Sequence, residues 1–294
     1  MVVSVPATSA NLGPGFDTLG LALELKNRFH IKPASISSIQ IKGEGAKNPK
    51  LRVDNIFVRI FNETLVRLTG ERASTFRFQF HNLIPISRGL GSSSAVIIGA
   101  IQAAFLIAQK EPNPQEILAL AQGYESHPDN ITPACVGGFT VAVNNKGAIS
   151  YLKKELPSAI KAVIVIPNRS TSTAYSRQSL PKRYARHDCV FNLSRSSLLV
   201  AAFFSEQWEV LREASKDRFH QEIRMKHIPA LFEVQRSALK RGALMSTLSG
   251  SGSSFFNLCL REDSHTLALK LQEEFPQFRI LELEFDNKGV EYDD

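Results

Sequence analysis

In "FRFQF", Phe76 to Phe80, apolar and polar residues alternate with a period of two, the pattern of a strand with one face against a core. Ala95 to Ala108 is apolar throughout except for Gln102. That run is shorter than the about 20 residues a membrane-spanning helix needs, which predicts a buried helix. Asn113, Pro114 and Glu116 supply an N-cap, a proline at the first helical position and a capping-box acid, so a helix is predicted from there to about Tyr124. Glu125 then falls at or just past its C-terminal end, where a carboxylate opposes the helix dipole at a cost of roughly 0.3 kcal/mol or more, a hint of another use for it. Strands are predicted at Val2–Val5 and in the hairpin "GFTVAVNNKGAISYL", Gly138 to Leu152, with Asn145-Lys146-Gly147 in its turn.

The second half opens with the buried strand "AIKAVIVIP", Ala159 to Pro167, and a loop rich in Ser, Thr and Arg. Helical patterns over Asn192–Ser215 and Ala230–Gly242 follow, then a strand at Ser254–Leu260, a helix near Ser264–Phe275 stopped by Pro276, and a strand at Arg279–Phe285. This alternation, without a strict crossover signature, predicts an α+β fold with helices layered on a mixed or antiparallel sheet. A division near residue 155 gives domains 1–155 and 156–294.

Composition narrows the function classes. The chain of 294 residues is 43% hydrophobic and 21% charged, a globular balance. Its formal net charge of +7 admits nucleic acid, anionic lipid or a polyanionic small substrate. No Lys/Arg block exists, however, and the densest basic stretch is Lys182-Arg183-Tyr184-Ala185-Arg186. Dispersed charge suits a phosphate-bearing substrate better than a nucleic-acid track, and no membrane partner is expected. Cys135, Cys189 and Cys259 form no CxxC or CxxH pair, so neither a disulfide framework nor a zinc site is indicated. The N-terminus lacks the basic segment and apolar run of a signal peptide, and a cytoplasmic location is expected.

Immediately before the apolar helix stands "PISRGLGSSS", Pro85 to Ser94. The free amides of a first helical turn and the positive end of its dipole bind anions, phosphate above all. Glycines let the backbone approach closely, and serine hydroxyls serve hydrogen bonds or a Mg²⁺ ion. The string is not a Walker A loop, since no Lys follows Gly91, nor a dinucleotide fingerprint, since Ser94 stands where a third glycine belongs. A serine-capped buried helix behind a glycine turn is the alternative reading. Three further clusters favour a binding site: Pro6–Gly20, with Asn11 and Asp17 on a loop of three glycines; "ESHPDNITP", Glu125 to Pro133; and "LSGSGSSFF", Leu248 to Phe256.

Taken in order, Pro6–Gly20, Pro85–Ala95 and Ser249–Ser254 resemble the three motifs of the GHMP kinases, and the resemblance covers essentially the whole chain. It implies a two-domain GHMP kinase fold, with an N-terminal, ATP-binding domain like domain 2 of ribosomal protein S5 and a ferredoxin-like C-terminal domain. "PATSANLGPGFD", "HPDN" and "STAYSRQSLP" (Ser172 to Pro181) are similar to the members that phosphorylate the side-chain hydroxyl of L-homoserine with ATP in threonine biosynthesis, and "RILELEFDNKGVEYDD" resembles their C-terminal strand.

By that likeness Pro85, Arg88, Gly89, Leu90, Gly91, Ser92, Ser93 and Ser94 hold the ATP phosphates, Ser93 and Glu125 ligate Mg²⁺, and Asn55 borders the adenine. Asn11, Asp17, His127 and Asn130 contact the amino acid, Asp17 through its ammonium, while the guanidinium forks of Arg177 and Arg224 face its carboxylate. Ser249, Gly250, Ser251 and Gly252 form the third loop, and Asn130, Glu125 and Ser93 are the catalytic candidates. An amide takes no proton at neutral pH, so Asn130 is expected to orient the reacting hydroxyl while alignment carries a loose phosphoryl transfer. A solvated face is the alternative for Arg224 and a structural loop role for His127. Asp129 is read as a supporting acid, His187 and His220 as surface residues, and Phe57, Phe61, Phe76, Phe78 and Phe80 as core.

The chain departs from the family pattern at Ser94, where alanine is usual, at Ser126, where glycine is usual, and in reading SGSGSS for SGSGPT. Two rivals stand beside homoserine phosphorylation: a kinase of mevalonate or shikimate type, and a ligand sensor of the same fold that transfers nothing. An acid and two arginines suit a zwitterion, which mevalonate is not. A homodimer is compatible with the sequence.

Overall fold

The computed structural model describes residues 1–70, 75–145, 147–171 and 173–293, so Lys146 of the predicted hairpin turn and Ser172 lie outside it. Strand β1 (Val2–Ala10) runs on past the predicted Val5, because Pro6 sits where the register against β2 (Leu19–Pro33) shifts and its missing N–H costs no ladder bond. Next come β3 (Ser38–Gly43), the short α1 (Lys50–Val53), α2 (Ile56–Thr69) and β4 (Phe76–Asn82). The predicted alternation is realised in β4: Phe76, Phe78 and Phe80 point inward, and Phe57 and Phe61 of α2 meet them with ring centroids 4.9 Å (Phe57–Phe80) and 5.1 Å (Phe61–Phe76) apart. Helices α3 (Ser92–Ile107), α4 (Pro114–Ala121) and α5 (Pro128–Val136) precede the hairpin β5 (Phe139–Asn145) and β6 (Ala148–Lys154). Among the described residues these strands form one sheet in the order β1-β2-β4-β3, with β5 on the first part of β2 and β6 on β5; only β3 and β4 run parallel. Gly99 lets α3 lie directly on the sheet, since a side chain there would overlap Phe29.

Strand β7 (Ile160–Ile166) starts a second sheet. It is followed by α6 (Thr173–Gln178), α7 (Arg186–Ser205), α8 (Leu211–Ala214), α9 (Gln221–Met225), α10 (Ala230–Lys240), β8 (Met245–Leu248), β9 (Phe255–Leu260), α11 (Arg261–Glu274) and β10 (Arg279–Leu283). The order β10-β7-β9-β8, all antiparallel, with helices after its first and third strands, is the split β-α-β arrangement that the family resemblance implied. The continuous apolar run of β7 reflects burial on both faces: Ala162, Ile164 and Ile166 join the core shared with the first sheet, while Val163 and Val165 face α10 and α11. The predicted helix over Asn192–Ser215 is broken into α7 and α8, because Glu206 turns left-handed at φ 58°.

The tail then returns to the first sheet as β11 (Glu291–Asp293), pairing with Val2–Ser4 of β1. Buried Asp286 and Glu291 hold Lys26 of β2 at 2.7 and 2.6 Å. No helix of the described residues is long and apolar enough to cross a membrane.

Candidate active site

Three loops meet where the two sheets abut. The first follows β1, and Asn11, Leu12 and Asp17 in it adopt positive φ. Asn11 fixes the bend by accepting from the Asp17 N–H (3.0 Å) and donates to the Gly250 carbonyl of the third loop (3.0 Å). Ser249 ties the third loop to the second, its hydroxyl 2.6 Å from the Gly89 carbonyl and 2.8 Å from Ser9 Oγ. Gly250 and Ser251 line a cavity of about 460 Å³, whereas Ser249 and Gly252 stand behind its wall. The third loop is thus mainly a buttress for the second.

Pro85, Arg88 and Gly89 to Ser94 all line that cavity. Gly91 is the α3 N-cap with φ 67°, and the first intrahelical bond runs from Ala95 N to its carbonyl (2.9 Å). The N–H groups of Ser92, Ser93 and Ser94 therefore have no partner among the described residues, and no side chain caps them. A side chain on Gly91 would overlap the Thr8 hydroxyl, so glycine is required there by packing as well as by φ. The Arg88 guanidinium donates to the carbonyls of Ile86, Ser87, Pro167 and Asn168. Asn55 lines the cavity and caps α2, accepting from Val58 N at 3.2 Å.

The charged groups lie across the cavity. Glu125 Oε1 accepts from the His127 backbone N–H (3.2 Å) and lies 2.7 Å from His127 Nδ1. Burial would raise its pKa, but these bonds outweigh it and hold the carboxyl below the usual range. The bond to Glu125 in turn raises His127. Since α4 ends at Ala121 and His127 is the N-cap of α5, Glu125 stands before a helix N-terminus as well as after a C-terminus, and the dipole cost expected for it is offset. His127 Nε2 is 4.0 Å from Asp17 Oδ2, and Asp17 receives a two-pronged bond from Arg177 (2.8 and 2.9 Å). Arg224 is buried, donating to the Gly250 carbonyl at 3.1 Å. Burial and the neighbouring Arg177 bring its pKa down to about 10. Nε of both arginines is buried without a partner. Asn130, third residue of α5, lines the cavity beside Asp129, whose carboxyl burial, and then Asp17, push up to about 7.

The family models named GHMP kinases N terminal domain and GHMP kinases C terminal match residues 55–138 and 199–277. The homoserine kinase of Wolinella succinogenes is 76% identical over 294 residues, covering 100% of both chains, and that of Helicobacter hepaticus is 61% identical, covering 99% of this chain and 98% of its own. The crystal structure of homoserine kinase from Cytophaga hutchinsonii superimposes with a TM-score of 0.88 at 24% identity, over 99% of this chain and 96% of that one. The chain belongs to the homoserine kinases of the GHMP family.

Sequence reasoning missed two side chains packed against the arginines of the cavity. His220 is buried, not a surface residue: Nε2 lies 2.8 Å from the Gly13 carbonyl and Nδ1 3.2 Å from Arg224 Nη1. No local pattern announces it, because its partners are over two hundred residues away or on its own short helix. Phe16 was passed over too, yet its ring carries both arginines, with Cζ 5.2 Å (Arg177) and 5.3 Å (Arg224) from the centroid. Arg224 is not on a solvated face, and His187 is exposed as expected.

Proposed function

We propose that this chain transfers the γ-phosphoryl group of ATP to the side-chain hydroxyl of L-homoserine, giving O-phospho-L-homoserine and ADP in threonine biosynthesis. One observation carries the reading: a single cavity holds three unpartnered serine amides and, opposite them, one acid with two arginines. The first set suits phosphate, the second a zwitterion. Mevalonate has no ammonium for Asp17.

In this reading the segment from Pro85 to Ser94, chiefly the backbone of Gly89 to Ser94, holds the phosphates, and Asn55 borders the base. The Ser93 hydroxyl and Glu125 carboxylate line the same cavity, a donor set that fits Mg²⁺, which takes one or two carboxylates and leaves the rest of its shell to phosphate and water. When bound, the ion neutralises charge on the transferring group. Asp17 takes the substrate ammonium, and the spare Nε–H groups of Arg177 and Arg224 support their assignment to its carboxylate. His127 spans the metal and amino-acid sets. Asn130 aligns the hydroxyl for in-line attack, which needs positioning more than a strong base.

We further propose an ATP-binding domain at 1–155, a second domain at 156–294 whose last strand, β11, reaches back to the first sheet, and a cytoplasmic location. The change of sheet between Lys154 and Ile160 and three free cysteines support these. An ADP-release assay with homoserine, threonine, mevalonate and shikimate tests the function: homoserine should turn over at least about tenfold faster than the others, about 1.4 kcal/mol of discrimination. Equal or faster turnover of mevalonate or shikimate, or ADP release with none of them, refutes it.

A further inference from the structure

The N-termini of α3 and α5 converge on a side chain outside the reading above. Thr8, near the end of β1, is fully buried. Its N–H donates to the Leu90 carbonyl at 3.2 Å, and its hydroxyl fills the space that a side chain on Gly91, the α3 N-cap, would need. The same hydroxyl donates to Asn130 Oδ1 at 2.7 Å. An amide whose oxygen is held in this way presents its two Nδ2 hydrogens to whatever lies on the other side. Among the described residues those hydrogens meet only the long 3.4 Å contact to Asp129 Oδ1, and Asn130 lines the cavity.

We infer that Thr8 is a positioning residue that locks the Asn130 amide as a hydrogen-bond donor toward the reacting oxygens. Asn130 then meets a lone pair of the acceptor hydroxyl or of the transferring group, and its amide takes up no proton from the hydroxyl at neutral pH. Thr8 also sets the spacing between the two helix starts, one serving phosphate and the other the hydroxyl. The inference rests on the reading of Asn130 as the residue that orients the acceptor.

Thr8→Val keeps the shape and removes the donor, leaving Oδ1 unpaired and the amide free to turn over. Its kcat should fall roughly tenfold or more, with KM for ATP and homoserine and the calorimetric Kd for homoserine within about twofold of the parent. Thr8→Ser retains the hydroxyl and should recover kcat to within about threefold. Asn130→Asp, which still accepts from Thr8 but cannot donate, should lose at least as much as Asn130→Ala. The double variant T8V/N130A should be no slower than N130A alone, because the two residues act as one unit. In nitrogen-edited spectra of the nucleotide-free protein, the Asn130 side-chain amide signals should move in T8V and stay in T8S. If T8V yields no folded protein, Thr8→Ala takes its place in every arm. Unchanged kcat in T8V, losses that multiply in the double variant, or unmoved amide signals overturn the inference. Parent-like kcat in N130A instead overturns the assignment of Asn130, leaving the two failures distinct.

Discussion

Helices α3 and α4 begin in opposite ways. At α4, Asn113 Oδ1 accepts from Glu116 N (2.9 Å) and Glu116 Oε2 accepts from Asn113 N (3.0 Å), so the chain closes this helix start with two reciprocal bonds on a turn outside the cavity. At α3 it places a left-handed glycine with no side chain to cap anything, follows it with three serines and no acid, and turns the open amides into a cavity. Omitting a cap costs a helix about 1 kcal/mol. Side chains cap α2 and α4, but α7, α10 and α11 also start without one, so what marks α3 is that its open first turn lines the cavity. Helix α5 is intermediate: no side chain caps it, but it carries its own buried acid, Asp129, in its first turn.

The contrast breaks first at Glu125, the carboxylate facing the open turn. Glu125→Gln keeps size and a hydrogen bond to His127 while removing the charge, and kcat/KM should fall by roughly 10²–10³-fold, with the loss only partly recovered by added magnesium. A variant within threefold of the parent would remove the metal from the reading. Ser92→Asp comes next. An acid at the first position of α3 favours the helix dipole, so the melting temperature should hold or rise slightly, while the carboxylate occupies the anion's place and weakens ATP binding roughly tenfold or more. Stability and binding moving together would mean that the open turn is not where phosphate sits.

The same comparison shows what could be read in advance. Capping signals are local: Asn113, Pro114 and Glu116 announce α4, and the glycine-serine string announces α3. Strand β4 and the doubly buried β7 were equally legible because their periodicity is written in consecutive residues. Helix α5 was hidden by Pro133 inside it and Pro128 at its start, so "HPDN" read as a loop. The tail strand β11 and the ring of Phe16 under two arginines depend on partners far along the chain, for which one sequence carries no signal. Net charge pointed to a class of substrate without locating its site. On the outer face of the first sheet Lys32 stands opposite Arg77, and Arg28 opposite His81, while Arg88, Arg177 and Arg224 line the cavity.

Asp129 supplies a smaller test, through pH. Its carboxyl titrates near 7 in the folded protein and in the ordinary aspartate range when unfolded, because burial opposes its charge. The folded state therefore binds more protons than the unfolded one across that interval, and this group's contribution to stability is present at low pH and lost as pH rises through about 7. Asp129→Asn should flatten the dependence, gaining melting temperature relative to the parent as pH is raised from 5 to 8. A difference that is constant with pH would mean that Asp129 is ionised throughout, and α5 would then resemble a helix with an ordinary acidic first turn.

The smallest effect is expected at the closed helix. Asn113→Ala removes the side-chain arm of the capping box on an exposed turn and leaves the backbone arm to Glu116, so it should cost about 1 kcal/mol, a fall of about 2 °C in melting temperature for a chain of this size. Activity should not move, because the cap touches nothing in the cavity and α4 reaches Glu125 only through its far end, where Glu125 N donates to the Ala121 carbonyl at 3.0 Å. A tenfold loss of kcat with the same small loss of stability would mean that fraying at Asn113 travels the length of α4 to the carboxylate. The closed helix would then be part of the machinery, and a capped start would no longer mark a helix that only supports.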